Sequence, residues 1–449
     1  MAHQAHAIPW HTLTSNLVYL HRTPRNHGTT NLYLRKTKDP NQVKQIRHFV
    51  RGFSRALSAY ATIERTKYAP DATPPDNLDE ILISDVAVRK IAKTVLQYKT
   101  EDNWSFRGPG ESIITLPSSL ATDSTLTSCE RSVRSFVCNT MPGEGDMFPE
   151  LRETCEQTKA LLMHGEMDTL FRLAAHPDVW FSKMWCEEEW ANAHGFGLSK
   201  LLDSTLQAYI CLNVIFLRPE LYDDASQSAY IQREKAAGRT TYAEGEYDYR
   251  LTAAYQRMLL LCTGVPYGFC CDAHTFPHRD FFGVKRGMYR HDYSDTHFER
   301  WQKTHLGTQR VKDLVCSAFK GVHVPNKRDV AAVLEMLGSK GLPVELALQV
   351  IAKAEYVPVG RLPIRDDPFH LANAEELRKY ISYCWKLLVR LEMLYKESVH
   401  GLTLDWEAEV SHALYRLFNM GGGPLFTDVF AFEDHYYSSS VRPRILLAT

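Results

Sequence analysis

Apolar positions recur along most of this chain at the three- and four-residue spacing of a helix that buries one face. The clearest stripe runs through Glu375–Tyr395, where Leu377, Tyr380, Ile381, Cys384, Leu388, Leu391 and Tyr395 fall in line. Asn41–Ile63 carries Val43, Ile46, Phe49, Val50, Phe53 and Leu57 on one face, and Asp85–Tyr98 carries Val88, Ile91, Val95 and Tyr98. The same spacing predicts helices over Asp248–Leu261, Arg328–Leu337 and Val344–Glu355. Ser199–Leu217 is apolar on most sides, which predicts a central helix packed all round.

The first 140 residues are more mixed. Asn16–Leu20 and Asn31–Leu34 read as short strands separated by the turn cluster Thr23-Pro-Arg-Asn-His-Gly28. Ser112–Leu116 and Ser135–Cys138 read as two further strands, and the Gly- and Pro-punctuated stretch Gly264–Gly283 reads as a loop. The expected fold is therefore mainly α, a large helical globule with a smaller N-terminal α/β portion. The expected division is a basic mixed α/β region over 1–140, a helical core region over 141–420 and a C-terminal arm over 421–449.

Composition narrows the class. The 449 residues are 44% apolar and 23% charged with a formal net charge of −1, which suits a folded globule and not a disordered chain. Ten cysteines are too sparse for a disulfide scaffold and read as reduced thiols. The most apolar run, Leu206–Leu217, is too short to span a bilayer, which takes about 20 residues. Without the pattern of a signal peptide at Met1–Trp10, a cytosolic location with no membrane partner is expected.

The near-zero net charge hides two opposite blocks. Between His21 and Tyr68 eleven Lys/Arg stand against two acids. Arg35, Lys36 and Lys38 precede the helix, and Lys44, Arg47, Arg51 and Arg55 repeat along it opposite its apolar stripe. Such a face, beside Tyr19, Tyr33 and His27, suits a polyphosphate, with nucleic acid the natural partner. An ordinary solvated helix face is the alternative. Met141–Trp190 then holds eleven acids against four bases. In Trp185-Cys-Glu187-Glu188-Glu189-Trp190, clustered carboxylates between indoles form a plausible seat for a guanidinium. A surface acidic helix with core tryptophans is the competing reading.

No GxxxxGK[ST], GxGxxG, GxSxG or HExxH is present, so the usual marks of nucleotide hydrolysis, dinucleotide redox, serine-hydrolase and zincin chemistry are missing. Cys270-Cys271-Asp-Ala-His274-Thr-Phe-Pro-His278 has zinc-ligand residue types but no second cysteine pair, so no metal is expected. Leu342-Pro-Val-Glu-Leu346 looks like the opening of an F-box, a helical adaptor motif, or is simply a Pro-started helix. Arg218-Pro-Glu220-Leu-Tyr222-Asp223-Asp224-Ala-Ser-Gln227 follows the most apolar helix. Paired acids beyond a buried helix sit where burial and mutual repulsion raise a pKa towards acid–base use. A helix stop rich in Asp is the alternative.

Several blocks resemble a fungal family associated with arginine-containing cyclodipeptide synthases. They are Phe216–Leu221, Gly287–Tyr293, Leu342–Leu348, Ala354–Pro358, Asp367–His370 and Tyr383–Arg390, spanning about half the chain. The resemblance implies an aminoacyl transferase that condenses arginine from arginyl-tRNA with a residue from a second aminoacyl-tRNA into a diketopiperazine. It implies no cofactor, since the tRNA ester is already activated. The basic face would carry tRNA, and Trp185 with Glu187, Glu188 and Glu189 would hold the arginine side chain. Glu220, Asp223, Asp224 and Gln227 would form the catalytic block. The family's Asp-Asp-x-x-Glu motif has Gln227 in its last place here, which puts that block's chemistry in doubt. A non-catalytic RNA-binding or F-box-like adaptor protein is the alternative.

Overall fold

The computed structural model describes residues 7–21, 30–34, 40–102, 125–140, 148–185, 197–239, 241–266, 273–288, 290–291, 323–398 and 404–418. Among them the chain is mainly α, with a small N-terminal β-hairpin. Helix α1 (Trp10–Ser15) leads into β1 (Leu17–Leu20), which pairs antiparallel with β2 (Asn31–Leu34) in the register Leu17 to Leu34. Helix α2 (Pro40–Arg65) follows, then α3 (Asp85–Asp102), α4 (Val133–Thr140), α5 (Phe148–His164), α6 (Met167–Ala175) and the short α7 (Ser182–Trp185).

Helix α8 (Leu198–Phe216) is the axis of the body. Every residue from Leu201 to Ile215 except Asp203 is buried, as a helix apolar on most sides requires. Around it pack α10 (Ala253–Thr263), α14 (Ala374–Ser398) and α15 (Trp406–Phe418), while α2 lies across α14 and α15. Between these come α9 (Asp224–Ala236), α11 (Phe276–Phe282), α12 (Lys327–Ser339) and α13 (Val344–Lys353). One continuous apolar cluster runs from Ile8 to Phe418 and joins α2 to the later helices. Its aromatic heart is Trp10, Phe53, Tyr209 and Trp385, with Tyr209 and Trp385 centroids 5.2 Å apart.

Three expectations change. Ser135–Cys138 lies in α4, because Val133, Phe136, Val137 and Thr140 bury a helical stripe that a four-residue window does not reveal. Gly264–Gly283 is not all loop: α11 starts at Phe276 with Pro277 in its first turn, where proline's missing N–H costs nothing. Its left-handed C-cap Gly283 meets Gly360, and a Cβ on Gly360 would lie 2.4 Å from the Gly283 Cα. Asp248–Leu261 splits into a single 3-10 turn and α10, because the Thr252 hydroxyl accepts from the Tyr255 N–H and caps the helix there. The Thr23–Gly28 turn, the Ser112–Leu116 strand and the C-terminal arm lie outside the described residues. No described helix is long and apolar enough to cross a membrane.

Candidate functional site

Helix α2 turns Ile46, Phe49, Val50, Phe53 and Leu57 inward and leaves the opposite face to solvent. That face is an open groove of about 440 Å³ lined by Lys44, Arg47, His48, Arg51, Arg55 and Glu407. Glu407 comes from the first turn of α15, and its carboxylate stands 3.7 Å from the Arg51 guanidinium. The Arg55 Nε donates to the Arg51 carbonyl at 3.3 Å, which holds that side chain along the helix. Among the described residues, four fixed cations and an imidazole thus face one carboxylate in water. Each ion pair there contributes little to stability, but the summed field attracts a polyanion. Tyr19 does not serve this groove as a stacking ring. It is buried, and its hydroxyl donates to the Glu246 carbonyl at 2.5 Å. Arg35, Lys36, Lys38 and His27 lie outside the described residues.

Residues 16 and 17 connect helix α2 to the acidic block. The Asn16 amide donates to Gln45 of α2 at 2.7 Å, and the Leu17 carbonyl accepts from Arg218 at 3.0 Å. Arg218 also pairs with Glu220 at 2.5 Å, and both are largely buried. Glu220 is therefore a neutralised structural carboxylate.

The expected rise in pKa does not occur at Asp223. Asp223 is exposed and caps α9 by accepting from the Ser226 N–H at 2.8 Å. Ser226, through its hydroxyl and then its backbone, holds that carboxyl below the usual carboxylate range. Asp224 is an exposed first-turn residue and, among the described residues, has no hydrogen-bond or ion-pair partner. Gln227 is buried and clamps three segments together. Its amide nitrogen donates to the Glu220 carbonyl at 3.2 Å and the Tyr247 carbonyl at 2.7 Å, and its oxygen accepts from the Gly245 N–H at 3.1 Å. An ionised carboxylate has no proton for those two carbonyls. The glutamine at this place is thus a packing requirement of the fold.

Trp185 is a core side chain, 3% exposed and edge-on to Tyr395 at 5.0 Å. It is not an open platform for a guanidinium, because the helical body closes over it. Glu187, Glu188 and Glu189 lie outside the described residues.

A second polar cluster joins Glu156 and Lys159, to which the sequence pattern assigns no role, to His274 and His278. Glu156 and Lys159, one turn apart on α5, form an ion pair whose side chains are 1% and 0% exposed. The second Glu156 oxygen accepts from the Ala273 N–H at 3.0 Å, which seats the turn leading into α11 against α5. His278 Nδ1 lies 2.5 Å from the Tyr380 hydroxyl of α14. Burial, aided by the Lys159 charge, holds His274 well below the usual histidine range, and burial alone pushes His278 down to about 3. Burial also raises Glu156 despite its lysine. Both imidazoles are therefore neutral at physiological pH. His274 Nδ1 and His278 Nε2 have no hydrogen-bond partner among the described residues. The only sequence signal for this cluster is the Cys270–His278 run. No three His, Cys, Asp or Glu gather into a metal site among the described residues, and Cys270 and Cys271 lie outside them.

One family model matches the chain over residues 11–426, that of the gramillins biosynthetic cluster protein GRA5, a setting of fungal secondary metabolism. No curated protein and no solved structure matches.

Proposed function

The chain belongs to the family of the gramillins biosynthetic cluster protein GRA5, and from that premise we propose that it is a tRNA-dependent aminoacyl transferase making an arginine-containing cyclic dipeptide. The observation that carries this reading is the open cationic groove along α2. Its cations repeat every three or four residues, about 5 Å apart along the helix axis. That spacing suits successive phosphates of a nucleic-acid backbone. The substrates are cytosolic aminoacyl-tRNAs, whose esters supply the driving force without a bound nucleotide or metal.

In this reading the α-amine of one aminoacyl group attacks the ester carbonyl of the other. An amide bond forms, an ester bond breaks, and the amine proton passes to the departing ribose hydroxyl. The free amine of the resulting dipeptidyl ester then attacks the remaining ester and closes the ring, releasing the second tRNA. Asp224 is the member of the acidic block suited to relay these protons, since Asp223 is committed to a helix cap, Glu220 to Arg218 and Gln227 to two carbonyls. Glu187, Glu188 and Glu189 are the carboxylates proposed to take the arginine side chain.

Expression in a bacterial host with mass analysis of the medium tests the proposal. Arginine-containing cyclic dipeptides are expected from the wild-type chain, much less from Asp224→Ala, and near wild-type amounts from Asp223→Asn. Binding of tRNA without product supports the alternative, a non-catalytic RNA-binding protein using the same groove. Neither binding nor product removes both.

A further inference from the structure

Of the twelve large apolar side chains exposed among the described residues, six lie between residues 336 and 357: Met336, Val344, Leu346, Leu348, Val350 and Val357. Five belong to the hairpin of α12 and α13, whose helices pack chiefly on each other, and Val357 follows four residues after it. Helix α12 buries no residue, and α13 buries only Ala347 and Ile351. Yet α13 is apolar around most of its circumference, and its polar residues form a single stripe, Glu345, Gln349 and Lys353, at i, i+4 and i+8. A helix of that pattern is normally covered on more than one side. Half-open side chains in this number leave several hundred Å² of apolar surface, the size that marks an interaction site on a soluble protein.

We propose that this face pairs with the same face of a second copy of the chain, with α13 antiparallel to its counterpart about a two-fold axis at Gln349. The polar stripe selects that occupant. Glu345 and Lys353 stand four residues either side of Gln349, so an antiparallel partner sets each acid against a lysine and each lysine against an acid. Gln349 then meets its own copy, and an amide both donates and accepts. Among the described residues neither Glu345 nor Lys353 has an ion-pair partner, although both are exposed. Leu346 and Val350 flank the stripe and form the apolar centre of the contact.

Sedimentation equilibrium of the full chain over a concentration series tests this. The wild-type chain is expected to be a dimer at micromolar concentration. Leu346→Glu with Val350→Glu is expected to be a monomer with an unchanged helical spectrum. Glu345→Lys alone and Lys353→Glu alone each place like charges in contact twice per dimer and weaken association about tenfold. The two reversals combined restore it. A monomeric wild-type chain overturns the proposal, as does a dimer indifferent to Leu346→Glu with Val350→Glu. Single reversals that weaken the dimer without mutual rescue also overturn it, because they place another surface opposite the stripe.

Discussion

Gln227→Glu restores the acid of the Asp-Asp-x-x-Glu motif and should weaken the protein, not improve it. The wild-type amide nitrogen serves two carbonyls, of Glu220 and Tyr247, in a site where the side chain is only 7% exposed. An ionised carboxylate turns both contacts into oxygen facing oxygen. Leaving a buried polar group unsatisfied costs about 1–3 kcal/mol, and relaxation towards solvent recovers part of the sum for two groups. A loss of about 2–4 kcal/mol at pH 8 follows from those two penalties. Acid should repair it. The introduced carboxyl is easier to protonate when folded than when unfolded, where its pKa is about 4.3. The folded state therefore binds the extra proton first, and the deficit shrinks as pH falls through the raised folded value. Once protonated, the group donates one hydrogen bond. Urea denaturation of wild type and variant, followed by circular dichroism at pH 8 and pH 5.5, measures both effects. Equal stability at pH 8, or a deficit that grows in acid, refutes the clamp.

Asp223→Ala removes the cap of α9 and should cost about 1 kcal/mol at neutral pH, read from the thermal midpoint. The Asp223 carboxyl is held low in the folded state, so this contribution is present above the unfolded pKa and lost as pH falls through the folded one. Wild type and variant should converge in strong acid. Lys159→Met strands the buried Glu156 and should cost about 3–5 kcal/mol in denaturant, whereas Glu156→Leu with Lys159→Met should recover most of that. Glu407→Gln removes the one carboxylate among the described residues that line the α2 groove and should tighten tRNA binding about threefold at low salt, with the gain fading as salt screens the site.

Much of this arrangement is legible in the order of residues along the chain. The stripes of α2, α3, α8 and α14 are long enough for their period to be unambiguous, and the cationic face of α2 follows from the same periodicity. Strands β1 and β2 are readable from turn residues between short apolar runs. Helices α4 and α11 are not. Four residues at Ser135–Cys138 fit either period, and Pro277 starts a helix in a stretch where Gly and Pro elsewhere mark turns. The acidic block shows a different limit. Its residue types are those of acid–base chemistry, but a chain does not display hydrogen-bond partners. Only the fold reveals that Asp223 meets a helix N-terminus, that Glu220 meets Arg218 and that Gln227 meets two carbonyls. The Glu156–Lys159 pair is invisible for the same reason, since charges three apart on a helix usually face water, and here both are buried, with Glu156 against the Ala273 N–H.

The central claim is that the α2 groove takes the phosphate backbone of a tRNA. Its most direct test is the salt dependence of arginyl-tRNA binding for the wild-type chain and for a chain carrying Lys44→Ala, Arg47→Ala, Arg51→Ala and Arg55→Ala. Four phosphate contacts predict that log affinity falls with log salt at a slope of about −3 to −4 in the wild type, and that most of both slope and affinity is lost in the variant. An unchanged slope in the variant, or no tRNA binding by the wild-type chain at low salt, contradicts the account.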